Sequence, residues 1–377
     1  MKLIYEDFVK LAEEKKEIGM KKEIVDGEEV TIFCYNIVSP DLFDVPLARE
    51  ARGVVFDSNK ECICRPFWKF FNLFEREDTQ PCNIDWDSLS VVTEKFDGSL
   101  VTPVRINNKI YFKTKKTFYS PIAMKLNAMW KDRGAFYEKY FQLINSYDLS
   151  ESTLLFEYTS PSNQIVLKYD KEELIFLGER KIEDGRFYPS PDIVVDIIPS
   201  KSYAPDFDYN KFIDKIKLET DREGYVIYAK DKLQAYKIKT EWYMDRHHLL
   251  SSLSYRNVLK LIVEEKLDDI ISELRTKEFN KQVLLVESIW EDYSKEWDEL
   301  YTKMFEIFNS ITKGKTITRK EFAAEIMSKY KEYQCPLFNV YENKMEWLAK
   351  SVQDLVIDKL KELYKGRVIF MGELNEN

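Results

Sequence analysis

The hydrophobic period of this chain changes once, near Trp242, and that change limits what the chain can fold into. Before it, short runs alternate apolar and polar residues: Val30–Tyr35, Gly53–Asp57, Val91–Glu94, Leu100–Ile106, Ile110–Lys113, Leu154–Tyr158, Gln164–Lys168, Leu174–Leu177, Tyr225–Tyr228 and Ala235–Ile238. A period of two marks half-buried strands. Most of these runs are too close together to hold crossover helices, so the pattern predicts an α+β domain built on antiparallel sheets. A short amphipathic helix is expected at 5–17 and a helical insert at 120–147. After Trp242, Val286, Ile289, Tyr293, Trp297, Leu300, Met304 and Phe308 recur at steps of three or four. Met345, Leu348, Val352, Leu355 and Leu363 roughly repeat that helical spacing. The chain therefore divides into a sheet-rich domain, 1–241, and an all-helical domain, 242–377.

Composition narrows the function. Net charge is −9, from 57 basic and 66 acidic residues. That argues against a protein that coats DNA, which would be basic overall, while leaving room for a local basic groove. Only two histidines are present, His247 and His248, and adjacent residues diverge on a helix or strand. A Ser-His-Asp or His-metal site is thus disfavoured, and Lys, Asp and Glu are left to do any chemistry. The five cysteines include Cys62-Ile63-Cys64, too close for a usual zinc half-site. Free thiols in a reducing compartment fit better, and no stretch has the length of a membrane span or a signal peptide. The expectation is a soluble, cytoplasmic protein.

Thr312-Lys313-Gly314-Lys315-Thr316 imitates the end of a phosphate-cradling loop, but the leading glycine would fall at Asn309 and the preceding segment is helical. Gly314 reads instead as the end of one helix, with a new helix capped near Thr318.

The chemistry centres on Lys95-Phe96-Asp97-Gly98-Ser99, a lysine at a strand end followed by an Asp-Gly turn. Alone, it is equally well a hairpin with a solvated lysine. Other clusters follow. Arg52-Gly53 opens a strand, Lys69 sits inside Phe67-Trp68-Lys69-Phe70-Phe71-Asn72, and Glu157 interrupts an apolar strand. Glu223-Gly224 precedes another strand, and Lys237 and Lys239 share one face, as do Lys113 and Lys115. Each has a bland reading, such as a lysine snorkelling among aromatics or the solvated face of a strand. Jointly they meet one demand: several cations to hold a triphosphate, carboxylates to hold a divalent metal, and an amine to attack. A free lysine has a pKa of about 10.4 and must lose its proton first, and nearby positive charge is expected to favour that.

The ordered set Lys95-x-Asp97-Gly98, Phe156-Glu157, Glu223-Gly224 and Lys237-x-Lys239 resembles the covalent nucleotidyltransferases, the ATP-dependent ligases and mRNA-capping enzymes. Tyr35-Asn36, Arg52-Gly53, Lys69-Phe70-Phe71-Asn72, Asn163-x-Ile165-Val166-Leu167 and Trp242-Tyr243 extend the resemblance to the RNA ligase 1 class of phage tRNA-repair ligases, over about 240 residues. The resemblance implies an antiparallel-sheet nucleotidyltransferase domain, ATP-grasp-like, followed by a helical domain that selects RNA. It implies that Lys95 takes AMP from ATP as a lysyl-AMP phosphoramidate and passes it to a 5′-phosphate, which a 3′-hydroxyl then attacks. By carry-over, Lys237 and Lys239 contact the α-phosphate and help lower the pKa of Lys95. Arg52, Lys69 and Lys115 hold the β- and γ-phosphates, and Tyr35, Phe71, Gly98 and Gly224 belong to the nucleotide pocket. Glu223 lies near the α-phosphate and its metal, Mg²⁺ or Mn²⁺, with Glu157 in the ribose or metal region, and Asp268-Asp269 resembles an acidic pair that organises a metal through water. The implied partners are single-stranded or nicked RNA ends, including a cleaved tRNA anticodon loop, and no membrane. The implied protein is a monomer in the cytoplasm, of the host if phage-encoded.

DNA ligases and capping enzymes follow the last lysine motif with a small β-barrel, whereas this chain turns helical. The rival from another class is a non-catalytic RNA-binding protein that uses the basic strands as a groove and aromatics as stacking platforms. Glu157 and Glu223 oppose it, since carboxylates among the lysines repel phosphate unless a metal intervenes. Lys359, Lys361, Lys365 and Arg367 are tail residues suited equally to RNA contact or to a solvated helix end.

Overall fold

The computed structural model describes residues 1–37, 39, 41–198, 208–264 and 266–365, so Arg367 lies outside the described residues. The alternating part of the chain forms strands β1 (Ile18–Val25), β2 (Glu28–Tyr35), β3 (Arg52–Phe56), β4 (Cys62–Cys64), β5 (Phe71–Asn72), β6 (Leu89–Lys95) and β7 (Ser99–Ile106). It continues with β8 (Lys109–Lys113), β9 (Ser152–Thr159), β10 (Glu173–Lys181), β11 (Phe187–Pro189), β12 (Val194–Ile197), β13 (Gly224–Ala229) and β14 (Ala235–Lys239). They make three sheets, ordered β1-β2-β3-β4, β11-β10-β9-β7-β8 and β12-β6-β13-β14-β5. Every pairing is antiparallel except that of β14 with the two-residue β5. The α+β class with antiparallel sheets read from the sequence is therefore what the chain adopts.

Each sheet buries its apolar face under a helix. Tyr5–Glu14 packs Phe8 against Phe33 and Phe56 of the first sheet. Pro121–Asp132 and Ala135–Asn145, the expected helical insert, place Leu126, Tyr140 and Ile144 on Phe112 and Phe156 of the second. Tyr209–Lys217 sets Ile213 and Ile216 on Val92, Ile227 and Ile238 of the third. Full burial of one such side chain contributes about 1.5–3 kcal/mol.

Two local readings change. Gln164–Lys168 is not a strand, because the amides of Val166 and Leu167 bond to the Asp97 carboxylate instead of a ladder. The Asp97-Gly98 turn is not a hairpin turn. β6 belongs to the third sheet and β7 to the second, so the turn carries the chain from one sheet to another.

The first and second sheets are tied by a buried ion triad. Glu50 Oε1 lies 2.8 Å from Arg65 Nη2 and 2.7 Å from Arg180 Nη2. Both arginines are 2% exposed, and their remaining donors reach the carbonyls of Ile182, Gly185 and Pro66. Buried charges persist only when paired and hydrogen-bonded in this way.

The chain forms two compact units, residues 1–248 and a second that begins at Leu249. The second unit is helical in its described residues: Tyr255–Val263, Leu267–Thr276, Asn280–Thr312, Arg319–Lys329, Gln334–Tyr341 and Met345–Leu363. Val286, Ile289, Tyr293 and Met304 are buried as the period predicts, whereas Met345 and Leu363 are exposed. On the last helix the buried row runs Leu348, Val352, Val356, Leu360, since steps of four leave Leu355 off its centre. Asn280–Thr312 ends with Lys313 at φ 50° and Gly314 at φ 72°, and Thr318 caps the next helix by a capping box with Glu321. The phosphate-loop look-alike is thus a helix-to-helix connection. Among the described residues no helix is long and apolar enough to cross a membrane. All five cysteines are free.

Candidate active site

Three adjacent strands converge on one carboxylate. Gly224, the first residue of β13, is the register partner of both Lys95 at the end of β6 and Lys239 at the end of β14. Glu223, one residue earlier, is 3% exposed. Its Oε2 lies 2.8 Å from Lys95 Nζ and its Oε1 lies 3.0 Å from Lys239 Nζ. Gly224 has φ 146°, and a Cβ there would stand 2.0 Å from the Ile238 carbonyl oxygen. Only glycine lets the central strand close up at this point.

Lys237 shares the face of Lys239, and its Nζ sits 5.3 Å over the Phe70 ring. Its backbone pairs with Asn72 of β5, so the third sheet holds the Lys69–Asn72 segment. Burial, followed by the charges of Lys69, Lys95, Arg52 and Lys239, holds Lys237 well below the usual lysine range. Four cations predicted from separate motifs therefore bear on Lys237.

The aromatic pocket residues are neighbours too. Tyr35 packs edge-on to Phe43 at 5.1 Å, and Phe43 packs on Phe71 at 5.7 Å. Lys115 Nζ lies 4.8 Å over the Tyr35 ring. Lys69 Nζ lies 4.9 Å over Phe71 and 3.7 Å from Glu75 Oε1. Arg52 is the first residue of β3, one position before Gly53 at φ 95°.

Glu157 stands on β9 opposite Leu100 of β7. A Cβ at Gly98 would lie 2.4 Å from the Tyr158 carbonyl oxygen and 3.1 Å from Glu157 Cγ. Gly98 thus allows the lysine turn to lie directly on β9. Asp268 and Asp269 belong to the other unit, on the exposed first turn of Leu267–Thr276, where negative charge suits the helix dipole. Among the described residues no group of three or more His, Cys, Asp or Glu is placed to hold a metal ion.

The RNA ligase family model matches residues 50–243, just over half of the chain and the segment that carries Arg52 through Lys239. The chain belongs to the RNA ligase family. It is 26% identical over 287 residues to RNA ligase 1 of Bacteriophage TS2126, covering 72% of this chain and 69% of that protein. Among solved structures, it is similar to an archaeal ATP-dependent RNA ligase at a TM-score of 0.45 and 15% identity, over 66% of this chain and 64% of that one. A Naegleria gruberi RNA ligase is similar at a TM-score of 0.39 and 12% identity, over 66% and 83%.

In this RNA ligase family member the protonation of the central lysine differs from the expectation. Burial alone would lower the pKa of Lys95, but the carboxylates of Glu223 and then Glu157 outweigh it, and the net direction is up. The sequence shows that cations gather near Lys95 but not that a carboxylate oxygen touches it. Burial likewise pushes Glu223 up, but Lys95 and Lys239 outweigh it and hold it below the usual carboxylate range. Burial pushes Glu157 up to about 8, opposed by Lys95 and assisted by Glu223 and Asp97.

Asp97 does more than form a turn. It is 1% exposed. Its Oδ2 accepts from the Val166 and Leu167 amides, both at 2.7 Å, and its Oδ1 accepts from the Tyr243 hydroxyl at 2.7 Å. Its own amide donates to the Tyr169 hydroxyl at 3.0 Å. Asn163 Nδ2 donates to Ser99 Oγ at 3.1 Å. The lysine turn is therefore strapped down by residues 163–169 and by Tyr243. The runs around Asn163 and Tyr243 carry part of the family resemblance, yet nothing in their spacing indicates that they bind Asp97.

Proposed function

We propose that the chain is an ATP-dependent RNA ligase that joins 5′-phosphate and 3′-hydroxyl RNA ends through lysyl-AMP and RNA-adenylate intermediates. The observation that carries the reading is the pair of contacts from Lys95 and Lys239 to the two oxygens of buried Glu223. A lysine at a strand end, held on a locked turn with Lys237 and Lys239 on β14 of the same sheet, is equipped to attack a phosphorus while those cations stabilise the charge that develops.

Once its ammonium has lost a proton to solvent, Lys95 Nζ forms a bond to the α-phosphorus of ATP as the bond to pyrophosphate breaks, and the new N–P nitrogen releases a second proton to solvent. Lys237 and Lys239 neutralise the α-phosphate. Arg52, Lys69 and Lys115 grip the β- and γ-phosphates and orient the leaving group. Tyr35 and Phe71 line the nucleotide pocket, and Gly98 and Gly224 leave room for the close backbone approaches around it. AMP then passes to the 5′-phosphate of one RNA end, and the 3′-hydroxyl of another displaces it. Phosphoryl transfer of this kind is mostly positioning and charge neutralisation.

A divalent metal fits the donor set. Glu157 is a carboxylate with no hydrogen-bond partner among the described residues, and its ionisation is disfavoured by burial and by Glu223 and Asp97. Mg²⁺ is commonly held by one or two carboxylates together with substrate phosphates. Glu157, with Glu223 beside it, would hold Mg²⁺ or Mn²⁺, which would neutralise phosphate charge. A Naegleria gruberi RNA ligase has been solved with ATP and Mn. Asp268 and Asp269 are assigned a water-mediated metal role from the family resemblance.

The substrates are single-stranded or nicked RNA ends, including broken anticodon loops, which places the enzyme in tRNA or other RNA repair. Residues 1–241 form the adenylyltransferase domain and 242–377 select the RNA, in a monomer working in the cytoplasm. The test uses a 5′-phosphorylated RNA strand with ATP and Mg²⁺ or Mn²⁺. Phosphatase-resistant, circular or joined product supports the reading. No product, and no adenylylated RNA, with either metal would overturn it.

A further inference from the structure

Lys113 is a lysine for which the proposed mechanism has no use. It ends β8, is 1% exposed, and makes no ion pair among the described residues. Its Nζ donates to the Gly53 carbonyl at 3.0 Å and to the Lys115 carbonyl at 3.3 Å. A buried cation with no carboxylate in ion-pair contact is costly, and burial pushes its pKa down against the weaker pull of Cys64, Cys34 and Glu23. An apolar side chain would fill the same space at less cost, so the ammonium must serve the two carbonyls.

Gly53 lies on β3 of the first sheet, and Lys115 lies two residues past the end of β8 of the second. β3 pairs with β2 and β4, and β8 pairs with β7. Among the described residues no strand pairing joins the start of β3 to the segment after β8. Yet the two backbones approach so closely that a Cβ on Gly53 would stand 2.2 Å from the Lys115 carbonyl oxygen. The ammonium bridges this junction. Arg52 lies one residue before it on one side, and Lys115 is the residue on the other.

We infer that Lys113 is a positioning residue that sets the spacing of Arg52 and Lys115, and through them the grip of the enzyme on the β- and γ-phosphates of ATP. The inference rests on the ligase reading above. It assigns Lys113 to the step that uses the triphosphate and not to the sealing step, in which the nucleotide is already an RNA-linked AMP.

The experiment compares Lys113→Met and Lys113→Gln with wild type in two assays. One follows lysyl-AMP formation against ATP concentration. The other follows joining of chemically pre-adenylylated RNA without ATP. Lys113→Met is expected to raise the KM for ATP on the order of 10- to 100-fold, since misplacement by about 1 Å can cost that much, while pre-adenylylated RNA is joined within about twofold of wild type. Lys113→Gln keeps two donors without the charge, and its KM should fall between the other two. It carries the test if the methionine variant does not fold. Equal losses in both assays, or an unchanged KM in both variants, would overturn the inference alone. Absence of lysyl-AMP in wild type would remove the ligase reading and this inference with it.

Discussion

Lys95 Nζ and Glu223 Oε2 lie 2.8 Å apart at the ends of adjacent strands, and this contact sets the charge on the lysine. Burial would favour the neutral amine that the proposed attack on phosphorus needs, but Glu223 and Glu157 reverse the balance and raise the pKa. The same carboxylate holds Lys239 with its other oxygen. One buried group thus orders two cations and favours the protonated form of Lys95, the proposed nucleophile.

Replacing Glu223 by Gln preserves shape and removes that charge. The raised pKa of Lys95 should fall, so the pH profile of lysyl-AMP formation should move to lower pH. The maximal rate should drop on the order of 10²-fold, because Lys95 and Lys239 lose their common anchor. Rapid-quench labelling across pH measures both. A profile that stays in place would mean that Lys95 does not answer to Glu223.

Glu157 gives a stability signature. Its carboxyl is raised from 4.5 to about 8 in the folded chain. Between those values the folded state binds a proton that the unfolded state has released, so this group's contribution to stability falls as pH rises from 4.5 to 8 and levels off above. Urea unfolding across this window should show wild type losing stability relative to Glu157→Gln as pH rises. Parallel curves would contradict the placement of Glu157 in a half-buried setting beside Glu223 and Asp97.

The Glu50–Arg65–Arg180 triad behaves in the opposite sense. Burial raises the Glu50 carboxyl, but Arg180 and Arg65 outweigh it and lower it to about 2. Its stabilisation is fully present above the ordinary carboxylate pKa and is lost as pH falls towards 2. Glu50→Ala strands two buried guanidinium groups and should cost about 3–5 kcal/mol, read from denaturant unfolding at neutral pH. A loss below about 1 kcal/mol would show that the triad behaves like an exposed surface pair.

The motifs were legible because catalysis concentrates charged residue types at strand ends, where they break an apolar alternation. Lys95, Glu157, Glu223, Lys237 and Lys239 each interrupt or terminate such a run, and the fold gathers them. Strand and helix periods were legible for the same reason, that burial repeats at two or near four. The partners of Asp97 were not. The amides of Val166 and Leu167 and the hydroxyl of Tyr243 lie 69, 70 and 146 residues away, and a backbone donor has no residue type to announce it. Nothing in the sequence marks Glu50, Arg65 and Arg180, since burial of a charge depends on three distant segments meeting. Lys113 shares an alternating pattern with Lys115, and only the packing of two sheets reveals that one is sealed inside and bonded to carbonyls.

If the proposed mechanism holds, Lys95 carries AMP. Wild type and Lys95→Ala, each first treated with pyrophosphate to strip any bound nucleotide, are incubated with α-labelled ATP and Mg²⁺ or Mn²⁺ and run on a denaturing gel. The label should stay with the wild-type chain, be released as ATP on adding pyrophosphate, and be absent from Lys95→Ala. An unlabelled wild type with either metal, or a label that survives the substitution, would contradict the mechanism.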